Sequence, residues 1–435
     1  MASLVTGNRQ YVIDGMSILT MHIHGRGDGE GSMKDTYIGL EEALRLTLEH
    51  ITPLPPEDVS LVECVGRIAA SDLDAMIDSP STDTSRKDGY AVVSGDVAGA
   101  TVLHPVRLQV LGVMAAGCEH DISLEPGSAV RVLTGARIPL GASAVVSDEF
   151  VRKGKGYVLI ENCAEPQNIL PRGSDVRAGT GVLRKGQLIS PIMAGLLAVA
   201  GHSRVPVYRN PMVGILGTGD EIFAPGEPLP EGKLYASNII SLAGWCMKYG
   251  MTPSLAIVKD DPSAIYDALR QLAARSDAIL TSGGAGMGDY DLVARALGQL
   301  GWMEVFHRVR IGPGKTVGFG MLDRKPIFIL PGGPPSNAMA FLQVALPGLL
   351  ALSGHPEPLL PTIKAKLGSP LMKGDPEWTD FFFGTLTFGD GLPEFRPQKK
   401  LSRLATIASA TAIAWIPEGH DHLPEGAIIR VQMLD

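Results

Sequence analysis

Residues 277–291 read DAILTSGGAGMGDYD: an apolar run, then glycines, then two acids. Ala278-Ile279-Leu280-Thr281 has the length of a buried strand. Gly283, Gly284, Gly286 and Gly288 follow within six residues, and Asp289 and Asp291 close the segment. Leu292, Val293, Ala296, Leu297 and Leu300 then recur at helical spacing, with Gly301 in the place of a C-terminal cap. Strand, glycine turn and helix in that order leave N–H groups and the positive end of a helix dipole facing a crevice, which suits a phosphate or another anion. The same pattern also serves α/β proteins as a bare turn, so spacing alone leaves ligand site and plain connection equally open.

A chain of 435 residues exceeds a single hydrophobic core, and about two to four domains are expected. The formal charge of −8 argues against general nucleic-acid binding, so an anionic ligand needs a local basic patch. Cys64, Cys118, Cys163 and Cys246 stand far apart and form no CxxC pair. Free thiols in a reducing cytoplasm are expected rather than a disulfide framework or a zinc site. No uninterrupted run of about 18 apolar residues occurs, so no membrane span is expected. Residues 1–36 lack a signal-peptide core. Segment 21–34 (MHIHGRGDGEGSMK) reads as a disordered leader whose two histidines are solvated.

The first expected helix carries Leu40, Ala43, Leu44, Leu48 and Ile51 on one face, and Pro53, Pro55 and Pro56 stop it. From about 64 to 165, short β-type runs (Tyr90–Val93, Arg107–Val113, Ala129–Leu133) alternate with glycines, as in a small barrel-like domain. A turn at Arg172–Asp175 precedes an apolar helix over Pro191–Ala200. Beyond Asn210-Pro211, strands and helices alternate. Expected strands are Val213–Leu216, Ser254–Val258, Ala278–Thr281 and Ile327–Leu330, with helices beginning at Ser237 or Asn238, at Asp261-Pro262 and at Pro334. This is a doubly wound α/β unit with a mostly parallel sheet, whose ligands bind at the carboxyl ends of the strands. Short strands return after 355 (Thr362–Leu367, Phe381–Phe388, Ala412–Ile416, Ala427–Met433) in a small β domain.

Four polar loops follow strand ends of the α/β unit: Gly217–Glu221, Lys259–Asp261, the glycine loop and Leu330–Pro334. A fifth, Arg308–Lys315, supplies three cations. Singly, each has a plain explanation as a cap or a solvated turn. Converging on one sheet edge, acids and bases together suit an oxyanion ligand with a divalent metal, since carboxylates take Mg²⁺ while arginine and lysine take phosphate. No Ser-His-Asp or Cys-His arrangement is legible.

LVECVGRIAASDL, DTSRKDGYAV, VLTGARIP, GSDVRAG, LGTGDEI, KDDP, TSGGAGMGDYD, RIGPGK, LPGGPPSNA and LSRLATIASATAIAWIPEG occur in that order from about residue 37 to the C-terminus. Through them the chain resembles the molybdopterin molybdenumtransferase family, the bacterial MoeA proteins and the gephyrin E domain. The resemblance implies a multidomain α/β and β fold, with a doubly wound α/β domain of the MoaB/Mog kind. It divides the chain into a discontinuous linker domain (37–63 and 164–207), a β-rich domain (64–163), the molybdopterin-binding α/β domain (208–354) and a small C-terminal β-barrel domain (355–435). It also implies a cytoplasmic homodimer that inserts molybdenum from molybdate into adenylylated molybdopterin with Mg²⁺, releasing AMP, with other proteins of molybdenum cofactor biosynthesis as possible partners and neither nucleic acid nor membrane among them.

Carried over by position, the catalytic acids are Asp291, Asp260, Glu221 and Asp88, with Asp260, Asp291 and Glu221 as metal ligands. Ligand-binding positions are Gly283, Gly284, Gly286, Gly288, Thr134, Asp175, Arg308, Lys315, Pro331, Pro334 and Ser402. Departures accompany the match. The family's KPGKP loop reads Gly312-Pro313-Gly314-Lys315-Thr316, so its first lysine is missing. Gly333 replaces the asparagine of LPGNP. Glu377–Gly384, with Trp378 and Phe383, lacks the arginines of the family's GRxxFxRG stretch. Arg310 and Arg403 are the cations available to stand in for them. Two readings follow from these observations: a metal-inserting enzyme, or a catalytically impaired molybdopterin-binding scaffold. A nucleotide-hydrolysing relative sharing only the α/β domain is disfavoured by the matched N-terminal half.

Overall fold

A computed structural model of the protein describes residues 37–118, 120–162, 168–283, 292–398 and 404–434. The expected leader, 1–36, lies outside them. The chain forms two compact units, Met1–Pro56 with Tyr208–Asp435, and Glu57–Val207. Helix Leu40–His50, which the resemblance placed with the 164–207 segment, belongs to the first unit. It buries Leu40, Ala43 and Leu44 in that unit's main core.

An open six-stranded sheet organises the first unit, in the order Thr252–Val258, Met212–Thr218, Ala278–Ser282, Lys325–Leu330, Gly318–Leu322 and Met303–His307. The first four strands, the ones expected, run parallel. The last two are an antiparallel edge pair that periodicity did not show, because Gly318-Phe319-Gly320-Met321-Leu322 is too short and glycine-rich to carry an alternation. Chain order reverses around Met212–Thr218: its successor in sequence lies on one side and Ala278–Ser282 on the other. Such a reversal opens a crevice at the carboxyl ends of the strands. Helices Pro262–Arg275 and Leu292–Gln299 cover one face of the sheet. Asp261 caps the first of them, accepting a 2.8 Å hydrogen bond from the Ala264 N–H, with Pro262 at the first helical position.

The opposite face carries the long helix Pro334–Leu352. Its length and apolarity would suffice to cross a membrane, but 83% of its most apolar window is buried inside the unit, so it is a core helix. Phe341–Ala345 form one π turn within it. There the Gln343 side-chain amide exchanges two hydrogen bonds with Gln432, at 2.7 and 3.1 Å, and both groups are buried. Gln432 belongs to the C-terminal barrel, where strands Thr379–Thr387, Glu394–Pro397, Thr362–Leu367, Ile428–Met433 and Ala412–Ile416 close into a ring.

In the second unit, a six-stranded sheet runs in the order Ala144–Ser147, Gly89–Val92, Ser128–Val132, Val106–Met114, Tyr157–Ile160 and Val151–Lys153. Among the described residues no pairing closes it, so the expected barrel-like domain is an open sheet with apolar clusters on both faces. Ser190 caps helix Pro191–Val199 through the Met193 N–H. Cys64, Cys118 and Cys246 are free thiols, and burial pushes Cys246 up to about 12. Cys163 lies outside the described residues.

Asp277, just before the Ala278–Ser282 strand, receives both Arg209 guanidinium nitrogens at 2.7 and 2.8 Å and the Met212 N–H at 2.8 Å. Burial pushes this carboxyl up, but the Arg209 and Met212 hydrogen bonds outweigh it and hold the group below its ordinary value. A depressed folded-state value stabilises above the ordinary aspartate range, and the contribution fades as pH falls through it. Asp277→Asn is therefore expected to lower the stability of this unit by about 1–2 kcal/mol at neutral pH. In urea unfolding, the difference from the parent protein should shrink as the solution is acidified.

Candidate functional site

The crevice at the carboxyl ends of the strands is tied together by one buried hydroxyl. Ser282 Oγ accepts hydrogen bonds from Asn238 Nδ2 at 3.0 Å and Asn337 Nδ2 at 3.1 Å. The same two amides reach the next strand-end loop: Asn238 donates to the Gly332 carbonyl and Asn337 to the Pro331 carbonyl, both at 2.8 Å. Each asparagine lies near the start of a helix, Ser237–Lys248 or Pro334–Ala340, so helix formation aims it at the loops. Sequence reasoning read Asn238 as a helix start and missed this clasp. The available signal was an asparagine at the opening of two helices that follow strands of one sheet.

Gly283 must be glycine. Its φ is +99°, and a Cβ there would stand 2.6 Å from the Thr218 carbonyl oxygen. Its N–H donates to the Leu330 carbonyl at 3.3 Å. The Thr218, Ser282 and Pro331 loops are thus brought together at the crevice, as the loop convergence implied. Gly284, Gly286, Gly288, Asp289 and Asp291 lie outside the described residues, as do Ser402 and Arg403.

Acids gather on the adjoining strand ends. The Asp260 N–H donates to Asp220 Oδ1 at 3.3 Å. Partial burial pushes the Asp260 carboxyl up, and the negative charges of Asp220 and Glu221 push it further. The Glu221 carboxylate folds back over the Cα of Gly219. Among the described residues no three His, Cys, Asp or Glu side chains are preassembled as a metal cage. Hard carboxylate oxygens crowded by like charge nevertheless fit Mg²⁺, which is commonly held by one or two carboxylates and completed by water and phosphate. Asp260 and Glu221 are the residues that would hold it. Lys259 is occupied, donating to the Asp220 and Ile222 carbonyls and standing 3.9 Å from the centre of the Phe223 ring.

Beside the crevice, Gly312–Lys315 packs against the start of the long helix. A Cβ on Gly314 would press on the Ser336 carbonyl oxygen and the Ala340 nitrogen, both at 3.1 Å. Gly312, Pro313, Pro335, Ser336, Asp380, Phe381 and Phe382 line a cavity of about 550 Å³ at this junction. Lys315 is exposed, its ammonium 6.0 Å from the centre of the Trp378 ring. Arg308 adopts φ +76° and lays its guanidinium 5.9 Å from the Tyr37 ring centre. Arg310, expected as a replacement ligand cation, is committed elsewhere: it donates to the Tyr37 and Glu377 carbonyls and pairs with Glu418. Pro331 is buried, and Pro334 opens the long helix at the start expected for it.

Asp88, Thr134 and Asp175 belong to the second unit. Asp88 Oδ1 accepts the Thr134 N–H at 2.7 Å and its hydroxyl at 2.8 Å. These two bonds, the backbone one first, hold the exposed Asp88 carboxyl below its ordinary value. Asp175 is exposed and its N–H donates to the Ser79 carbonyl at 3.0 Å.

Removing one arm of the clasp tests its role. Asn337→Ala removes one of the two donors to Ser282 Oγ and the side-chain donor to the Pro331 carbonyl, and is expected to cost about 2 kcal/mol of stability. Amide hydrogen exchange should then rise at Ser282–Gly283 and Gly332–Gly333 more than at the strand centres.

Residues 38–201 match the MoeA N-terminal region (domain I and II), and residues 214–351 match the probable molybdopterin binding domain. The chain is 35% identical over 339 residues to molybdopterin molybdenumtransferase 2 of Mycobacterium tuberculosis, covering 76% of this chain and 84% of that one. It is 30% identical over 409 residues to the molybdopterin molybdenumtransferase of Bacillus subtilis, covering 92% and 95%. The crystal structure of the molybdopterin biosynthesis MoeA protein from Pyrococcus horikosii superposes with a TM-score of 0.78 at 30% identity, over 92% of this chain and 100% of that one. Matched in both of these regions and over most of its length, the chain belongs to the molybdopterin molybdenumtransferase (MoeA) family of molybdenum cofactor biosynthesis.

Proposed function

We propose that this transferase inserts molybdenum from molybdate into adenylylated molybdopterin, with Mg²⁺ bound and AMP released, and that it works as a cytoplasmic homodimer. The observation that carries the reading is the gathering of the Thr218–Glu221, Asp260, Ser282–Gly283 and Pro331–Gly333 loops at the reversal of the sheet. A phosphate-bearing pterin suits the glycine side of this crevice, where backbone can approach closely. On the other side, Asp260 and Glu221 would hold Mg²⁺. Bound there, Mg²⁺ supplies positive charge against the phosphate oxygens. Asp260 orients the phosphate end of the substrate and takes or gives a proton, a role favoured by its raised affinity for one. Lys259 keeps the Asp220 turn in place through its two carbonyl contacts.

Asp88 and Thr134 form a preset acceptor–hydroxyl pair on the other unit. Our reading assigns this pair to the active site of the partner subunit, so that each site takes residues from two chains. Other proteins of molybdenum cofactor biosynthesis are natural suppliers and receivers of the pterin. The scaffold reading loses ground because Glu221, Asp260 and Asp88 are all retained.

The test is AMP release from adenylylated molybdopterin, molybdate and Mg²⁺. Asp260→Asn should lower turnover by two or more orders of magnitude, about 3 kcal/mol of barrier, while substrate binding stays within a few-fold. Turnover of the parent protein should rise with pH as Asp260 ionises, and Mg²⁺ should move that rise to lower pH. Absence of AMP release by the parent protein would favour the scaffold.

Asp88→Ala and Asp260→Asn proteins, each inactive alone, should recover about a quarter of parental activity after subunits are exchanged in equal amounts, because heterodimers then hold one intact site. No recovery despite confirmed exchange would place both residues within one chain's site.

A further inference from the structure

The cavity beside the crevice has an unexpected charge. Among the described residues that line it, Asp380 is the only ionisable one; the rest are glycine, prolines, a serine and two phenylalanines. Gly312 and Asp380 are neighbours across paired strands, and the carboxylate lies directly over the Gly312 Cα, where any Cβ would collide with it. The missing side chain at 312 is thus the seat of the acid at 380. Gly312 falls where the resemblance led us to expect the first lysine of KPGKP, whereas the arginine positions of GRxxFxRG fall at Trp378 and Phe383, on either side of Asp380. The cavity is lined by an acid and by none of those cations.

We propose that Asp380, seated on Gly312, is a specificity-determining residue that excludes dianionic oxyanions from this cavity while ionised and admits them, molybdate included, only when its carboxyl is protonated. The inference rests on the metal-insertion reading for the identity of the oxyanion. A protonated carboxyl donates a hydrogen bond to an oxyanion, whereas a carboxylate repels it in a half-apolar space where water screens poorly. Ser336 offers a hydroxyl on the same wall. Burial pushes the Asp380 carboxyl up, Asp375 adds to this, and Lys373 opposes it. The other charged groups on the surrounding segments are otherwise engaged or turned outward. Lys373 donates to the Pro376, Trp378 and Pro417 carbonyls. Arg310 pairs with Glu418, Asp375 receives the Glu377 N–H, and Lys315 is exposed.

Proton and oxyanion should therefore bind together. The experiment is calorimetric titration of the full chain with molybdate alone, without pterin, from neutral to alkaline pH where molybdate remains a dianion. The parent protein should bind about tenfold more weakly for each pH unit above the Asp380 midpoint, with uptake of one proton. Asp380→Asn should bind at least tenfold more tightly at neutral pH, without the pH dependence or the proton uptake. Asp380→Ser, judged by the same criteria, guards against a folding defect particular to asparagine. Equal affinity in parent and variants, a pH-independent parent, or no molybdate binding by folded variants would each overturn the proposal. AMP release by the parent protein with any of those outcomes removes only this inference. The predicted pH linkage without AMP release removes only the metal-insertion reading.

Discussion

Ser282 places one hydroxyl oxygen where two helices and two strand-end loops need a common acceptor. Its partners, Asn238 and Asn337, are each fastened a second time to the backbone of the neighbouring loop. Ser282 and Asn337 are buried, so a lost contact is not replaced by water, and the donor left behind carries the full cost of desolvation. The crevice is for this reason a rigid feature of the sheet. The bare Cα of Gly283 against the Thr218 carbonyl brings the third loop to the same point.

On this frame, carboxylates are placed in contrasting surroundings. Asp88 accepts two hydrogen bonds from Thr134 and is held ionised. Asp260 receives no such donors to its carboxylate among the described residues and faces two other acids, so its proton leaves late. Asp380, half-buried among rings and prolines, resembles Asp260 in tendency while its setting is apolar. One residue type thus releases its proton early or late according to what surrounds it.

Much of the fold was legible because it is local. The four parallel strands and their helices announce themselves through apolar runs, through Asp261-Pro262 and through glycines after helix ends such as Gly250, Gly301 and Gly354, all at positive φ. The antiparallel edge pair was not legible, since its glycines interrupt the alternation that marks a strand. Long-range placement was also hidden. Arg310 could be counted as a cation for a ligand, but its acceptor at Tyr37 lies 273 residues away and only folding reveals the commitment. Asp380 was passed over for the same reason: the acid acquires meaning only beside Gly312. The site residues carried over by position were accessible as motifs, whereas the asparagines that hold them in place resemble ordinary helix starts.

The π turn at Phe341–Ala345 bears on how this architecture tolerates change in length. A π turn carries one residue more than an α turn, so the part of the long helix beyond it is rotated by about 100° relative to an unbroken α-helix. That rotation presents Gln343 to Gln432 in the barrel while the earlier turns face the crevice and the later ones face helix Leu40–His50. The helix therefore acts as a phase shifter between three neighbours, and its reading frame is part of the fold. A single deletion inside the π turn would restore regular helix geometry and leave every later residue facing as before, whereas a deletion in a regular α turn of the same helix would swing the residues beyond it by about 100° and put the wrong face toward the core. The π turn is thus a place where the helix can lose a residue and keep the alignment of those that follow, at the cost of the local contact that Gln343 makes.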